Sequence, residues 1–189
     1  MRYDVIEKIG EGNRGEVYKV RLEDGRIAAL KWSKNYEIDK EWEILNYLNG
    51  FYAPKPLFRG NRYIVMELIE GKPLKELLNT PEFYNAMKLS LIAAFKLDEK
   101  KVFHKQLGRF YHILYNGDNV KFIDFERAVI TPKSRNFLQL IGYYLQRDEN
   151  FDKNRINLIL NLYKQDKIKA LEESIKAVDE AKNKAIFKQ

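Results

Sequence analysis

Three glycines, one lysine and two carboxylates are spaced in this chain so that they could hold the phosphates of a nucleotide. Gly10, Gly12 and Gly15 fall in Gly10-Glu11-Gly12-Asn13-Arg14-Gly15-Glu16-Val17. A loop of this kind lets backbone N–H groups approach a phosphate closely. Lys31 ends the run Ala28-Ala29-Leu30-Lys31, and a lysine on a rigid strand is a point charge for phosphate groups. Asp124, within Phe122-Ile123-Asp124-Phe125-Glu126, would close a strand, where a carboxylate is a hard oxygen ligand for Mg²⁺. Glu126 is a second carboxylate beside it. His104 and His112 are the 2 histidines of the chain, and both lie near Gln106, an amide that takes no proton near neutral pH.

The glycine pattern alone does not choose a fold; the elements around it do. A dinucleotide-binding fold needs the glycines to open a helix, yet Glu16 to Leu22, rich in Val and Tyr, reads as a strand. Tyr3 to Ile9 reads as the strand before the loop, Asp24-Gly25 as a turn, and Arg26 to Trp32 as the strand that carries Lys31. From Glu37 to Leu48 the period changes. Ile38, Trp42, Leu45 and Leu48 recur at helical spacing, and the helix ends near Asn49-Gly50. Pro54 and Pro56 mark an exposed connection. Arg62 to Leu68 is an apolar strand, broken at Gly71-Lys72-Pro73.

Beyond this the pattern is mainly helical. Leu74, Leu77 and Leu78 give a short helix, and Thr80-Pro81-Glu82 opens a longer one that runs to about Leu97. His112 to Tyr115 and Val120 to Ile123 flank Asn116-Gly117-Asp118-Asn119, a hairpin turn. Helices follow over Asn136 to Gln146, Lys153 to Lys164 and Lys167 to Ala185. The last carries an apolar stripe of Ile168, Leu171, Ile175 and Val178. The expected division is a strand-rich part over 1–67 and a helical part over 68–189.

Composition narrows the class. With 45% hydrophobic and 32% charged residues, the chain reads as globular rather than disordered. No apolar run is long enough to span a membrane. The absence of cysteine excludes disulfides and thiolate metal sites, and with no secretory signal at the start it makes a cytoplasmic address the expectation. The net charge of +7 admits a nucleic-acid partner. It also fits a chain in which Lys and Glu are both abundant, since no compact basic run occurs.

In this order, glycine loop, lysine strand, helix and hinge strand resemble the protein kinases. The resemblance implies an α+β, bilobal kinase-like fold with an antiparallel β-rich N-lobe, a helical C-lobe and ATP between them. It implies that Glu41, with Leu45 one turn on, pairs with Lys31; Glu37 and Glu43 are rivals for that place. Gly10, Glu11, Gly12, Gly15, Val17, Ala29 and Lys31 would border the nucleotide. Met66 would border the adenine, with the carbonyl of Glu67 and the amide of Ile69 on its edge. Asp124 takes the place of the metal-binding Asp, and Glu126 stands where kinases keep Gly, a variant similar to aminoglycoside and lipopolysaccharide-core phosphotransferases.

Only Arg127 to Arg135 separates Glu126 from the next helix, so the activation segment is short, as in RIO kinases and the kinase partner of the tRNA-threonylcarbamoylation machinery. The whole resembles a group of small archaeal serine/threonine kinase-like proteins over residues 3–145. In the catalytic loop, Gln106 stands where a kinase has its proton-accepting Asp, and His112 where it has its metal-binding Asn. His104 matches a residue that braces the loop. His112 fits either a metal or phosphate contact or plain packing, and as a ligand it would favour Mn²⁺ over Mg²⁺. Three readings follow. One is transfer of the γ-phosphoryl of ATP to a hydroxyl on a protein or small molecule, with Glu126 standing in as base. Another is a pseudokinase-type scaffold. The third is a RIO-like ATPase associated with RNA or the ribosome.

Overall fold

The computed structural model describes residues 2–34 and 38–187. Its first strands are β1 (Tyr3–Glu11), β2 (Gly15–Leu22) and β3 (Ile27–Ser33). Helix α1 (Asp39–Leu48) and strands β4 (Pro56–Arg59) and β5 (Tyr63–Glu67) follow. The strands form one antiparallel sheet in the order β1-β2-β3-β5-β4. Alternation gives the sheet two different faces. Val20, Leu22, Ala28, Leu30 and Val65 are buried together on one, with Tyr18, Leu57, Phe58 and Tyr63 packed against them. On the other, Val17 lies opposite Lys31, Lys31 opposite Ile64, and Ala29 opposite Met66.

The strand predicted over Tyr3 to Ile9 continues through Gly10 to Glu11, because Gly10 and Glu11 still pair with Val17 and Glu16. The predicted helix keeps its C-terminal end. Asn49 adopts the left-handed conformation and its N–H bonds the carbonyl of Leu45, a common way to satisfy a last-turn carbonyl. Its start is observed at Asp39, while Glu37 lies outside the described residues. The exposed connection expected at Pro54 and Pro56 is corrected. Pro54 is buried, and Pro56 begins β4, an edge strand, where a missing N–H costs no ladder bond.

The remaining strands and α-helices are β6 (Lys72–Pro73), α2 (Pro81–Glu99), β7 (Val102–Phe103), β8 (Ile113–Tyr115), β9 (Val120–Phe122), β10 (Val129–Ile130), α3 (Asn136–Tyr143), α4 (Lys153–Gln165) and α5 (Lys167–Phe187), with short 3-10 turns at Leu74–Leu77, Phe110–His112 and Leu145–Arg147. Gly71-Lys72-Pro73 does not simply break the chain, since β6 pairs with β8. The predicted hairpin is β8–β9 with Tyr115 opposite Val120, and Gly117 takes the positive φ of 104° that its turn requires. Thr80 has the extended backbone of an N-cap, but its hydroxyl donates backwards to the carbonyl of Leu77.

Helix α5 corrects the predicted stripe. Ile168 is exposed, and the buried line is Ala170, Ser174, Ala177, Val178 and Ala181. Small side chains allow close approach to α2 and α4, which pack against it. Lys88 of α2 bonds Asp179 at 2.9 Å, and Arg155 of α4 bonds Glu173 at 2.9 Å.

An α+β chain was expected, and one is observed: an antiparallel five-stranded sheet and, among the described residues, five α-helices. It divides into two compact units, Met1–Glu70 with Ile123–Ala128, and Gly71–Phe122 with Val129–Gln189. The segment carrying Asp124 and Glu126, assigned from the sequence to the helical part, therefore groups with the strand-rich unit.

Candidate functional site

In the first unit, β3 carries Lys31 at its buried end and α1 carries Glu41 one turn before Leu45. Glu41 is only 2% exposed, a position a carboxylate holds only with a partner. That partner is Lys31, whose Nζ donates to Glu41 Oε1 at 2.9 Å and to Asp124 Oδ1 at 2.7 Å. Glu43, the rival on the same helix, is exposed. Asp124 takes a φ of +66°, a left-handed conformation that Asp tolerates better than most side chains. Its side chain stays 29% exposed.

Glu126 lies beside this pair. Its side chain is 10% exposed, with Oε1 3.8 Å from Arg14 Nε and 3.9 Å from Arg127 Nε. Burial first, and then the negative charge of Asp124, push its carboxyl above the usual range, while Lys31 and Arg14 pull it down. The glycine loop is tied at its base. The N–H of Gly12 bonds the carbonyl of Gly15, and the N–H of Lys34 bonds that of Arg14. Gly15 is opposite Ser33, and a Cβ there would collide with the carbonyl of Trp32. Glu11 takes bonds from Lys8 and Lys34, and Glu16 from Lys8 and Tyr18; these bonds hold Glu16 down to about 2.

Of the residues expected to border a nucleotide, Val17, Ala29 and Met66 share the sheet face of Lys31. Glu67 exchanges bonds with Lys55: its N–H donates to the Lys55 carbonyl at 2.8 Å, and its Oε2 accepts from the Lys55 N–H at 3.0 Å. Ile69 follows the strand, half-buried.

Gln106 and both histidines belong to the second unit. His104 is fully buried, and His112 is 3% and Gln106 8% exposed. The Gln106 N–H donates to His104 Nδ1 at 3.3 Å, and His112 Nδ1 lies 3.2 Å from the Gln106 carbonyl. The amide oxygen Oε1 of Gln106 is buried without a hydrogen-bond partner.

Several residues that hold this loop escaped the sequence reading. Asn136 Oδ1 accepts the His104 N–H at 2.9 Å, Gln139 bonds the backbone of Leu107 and Lys105, and the Tyr144 hydroxyl donates to the Leu107 carbonyl at 2.7 Å. Asp98 Oδ1 accepts from Ser134 and from both the backbone and side-chain nitrogens of Asn136, and Oδ2 accepts from the Phe137 N–H. A faint signal existed. Asn136 and Gln139 are polar residues three apart at the start of an apolar helix, a placement that suits side chains bonding outward.

The donor set suits a hard cation. Mg²⁺ is commonly held by one or two carboxylates together with substrate phosphates and water, and Asp124 offers a partly open carboxylate of that kind. Among the described residues no group of three or more His, Asp or Glu forms a self-sufficient metal cage. Among them, too, no helix is long and apolar enough to cross a membrane.

The RIO domain pattern matches residues 18–148. The RIO-type serine/threonine-protein kinase Rio2 of Methanocaldococcus jannaschii is 29% identical, over 75% of this chain and 63% of its own length. The mouse serine/threonine-protein kinase Nek10 is 27% identical over 76% of this chain and 16% of its own. Mouse myosin-IIIb is 33% identical over 40% of this chain and 7% of its own. The chain thus spans 63% of Rio2 and far smaller shares of the other two.

Proposed function

The chain belongs to the RIO domain family, and on that premise we propose that it binds ATP with Mg²⁺ and moves the γ-phosphoryl to a hydroxyl acceptor. The observation that carries the proposal is Lys31, held by Glu41 at 2.9 Å and Asp124 at 2.7 Å in the unit that bears the glycine loop. A buried ammonium fixed by two carboxylates on separate segments is a rigid point charge for phosphate oxygens. Asp124 would hold the metal. Bound there, Mg²⁺ supplies charge neutralisation at the phosphate oxygens.

In the transfer itself the acceptor oxygen forms a bond to the γ-phosphorus, the bond from that phosphorus to the β,γ-bridging oxygen breaks, and ADP leaves. The acceptor proton needs a base, and Gln106 is an amide. Glu126, beside Asp124, is the carboxylate we assign to take it. Phosphoryl transfer depends mostly on positioning and charge, so a weak base slows the reaction without forbidding it. General-base help is worth roughly 10²- to 10⁴-fold.

One observation favours a second reading, a nucleotide-binding scaffold. His112 Nδ1 lies 3.2 Å from the backbone carbonyl of Gln106, and the Gln106 side-chain oxygen is buried without a partner; Gln106 takes no proton near neutral pH, and His112 would offer a metal nitrogen rather than oxygen.

The test is thermal unfolding with and without ATP, in Mg²⁺, in Mn²⁺ and in EDTA, beside Lys31→Ala. At about 100 times Kd a ligand adds roughly 2.7 kcal/mol, which raises the midpoint by about 5–11 °C in a chain of this size. The expected result is a metal-dependent rise that Lys31→Ala loses. No rise in any metal rejects the nucleotide site, a rise without phosphoryl transfer to any acceptor hydroxyl leaves the scaffold reading, and full transfer in Glu126→Ala removes the base role.

A further inference from the structure

The glycine loop carries a cation that the phosphate grip does not use. Arg14 lies between Gly12 and Gly15, and its side chain is 45% exposed. The neighbouring lysines are engaged at short range: Lys8 with Glu11 at 2.6 Å and Glu16 at 3.0 Å, and Lys34 with Glu11 at 2.9 Å. Arg14 meets Glu126 Oε1 only at 3.8 Å, beyond hydrogen-bond range. Its backbone is nevertheless fixed, because its carbonyl accepts the Lys34 N–H at 2.8 Å. A loosely paired guanidinium on an anchored loop therefore faces the segment that holds Asp124.

The charges around it argue for an anionic visitor. Lys31 is already matched by Glu41 and Asp124. A triphosphate carries one more charged group than a diphosphate, and that group needs its own counter-charge. Arg14 brings five N–H donors in a fork that matches two phosphate oxygens at once. Glu126 then acts as a stand-in, holding the guanidinium near the place where the phosphate oxygens arrive. The plain alternative is an exposed ion pair of little energetic worth.

We propose that Arg14 contacts the terminal phosphate of the bound nucleotide and is the residue that makes the site prefer ATP over ADP. The inference rests on the nucleotide-binding reading above and adds to it the discrimination between tri- and diphosphate.

The experiment compares the affinities of the β,γ-imido analogue of ATP and of ADP, each with Mg²⁺, for the wild-type chain, Arg14→Ala, Arg14→Lys and Lys31→Ala. Calorimetry or thermal shift gives the readout, and the unfolding midpoint without nucleotide checks each variant's fold. Losing one charge-assisted bidentate contact should weaken the triphosphate about 10- to 100-fold in Arg14→Ala. The diphosphate should change less than about 2-fold on the same scale. Arg14→Lys should fall between, because the charge remains but the fork is lost. Lys31→Ala should weaken both nucleotides. Equal weakening of both nucleotides by Arg14→Ala, or no change in either, overturns the role of Arg14 while leaving the site standing. Failure of the wild-type chain to bind either nucleotide overturns both readings together.

Discussion

The Lys31 grip and the Gln106 loop are both buried and both polar, yet they are built from opposite materials. The grip is ionic: one ammonium and two carboxylates, brought from β3, α1 and the segment after β9, with the Asp124 side chain 29% exposed. The loop over 104–112 holds no carboxylate. Its backbone is bonded by Asn136, Gln139 and Tyr144, and its own side chains bond inward. One ammonium balances only one of the two carboxylates around it, so an incoming cation at the partly exposed Asp124 would supply the remaining compensation. Neutral side chains bonded to backbone instead fix a shape. On the proposal above, the first region takes the nucleotide phosphates, and the second braces a backbone.

Variants can break or sharpen that contrast. The largest effect is expected from Glu41→Ala, which leaves Lys31 buried with half of its compensation. Removing one partner of a buried pair costs about 3–5 kcal/mol, and the retained Asp124 puts the expected loss near the lower end, read as a drop in denaturation midpoint. A loss below about 1 kcal/mol would mean that the pair behaves as a surface bridge.

Next comes Gln106→Asp, which adds to the loop the carboxylate proton acceptor it lacks. Single-turnover assays with ATP and a hydroxyl acceptor should show a gain of about 10²-fold. Unchanged turnover would mean that proton acceptance does not limit the reaction, and would favour the scaffold reading. Asn136→Ala follows, at about 2 kcal/mol for buried groups left unpaired, or about 4–8 °C in midpoint. The nucleotide-induced thermal shift should survive, because the grip belongs to the other unit. Its loss would end the separation of roles.

The smallest effect concerns alkaline pH. Burial raises the Tyr84 hydroxyl to about 12, helped by the Asp148 charge, and burial raises Tyr163 to about 12 as well. From about pH 10, the ordinary tyrosine value, up to those values, the folded chain keeps protons that the unfolded chain releases, so stability falls as pH rises. Midpoints measured from pH 9 to 12 should show the decline, and Tyr84→Phe should flatten part of it.

What the sequence made legible follows from local rules. Gly10, Gly12 and Gly15, the Lys31 strand and the Asn116-Gly117 hairpin each carry a short-range signal in period or turn chemistry, and the structure keeps them within a few residues. Glu41 could be chosen over Glu43 from Leu45 alone, because one helix face settles it. The misses are non-local. Pro54 is buried by packing that no dipeptide rule encodes. The apolar reading of α5 favoured Ile168 and Leu171, whereas close packing selected Ala170, Ser174 and Ala177. Asp98, Asn136 and Gln139 act by bonding backbone more than thirty residues away, which leaves little trace in a single sequence. Placing Asp124 and Glu126 in the strand-rich unit likewise needed three dimensions.

The φ of +66° at Asp124 has a consequence for anyone choosing variants. Most side chains meet a penalty of roughly 1–2 kcal/mol in that backbone conformation, while Asn shares the tolerance of Asp. Alanine at this position would therefore change charge and backbone together, and glycine would loosen the chain as well as discharge it. Asp124→Asn removes the charge alone, so it is the substitution whose failure to bind metal can be read as chemistry rather than as a bent main chain.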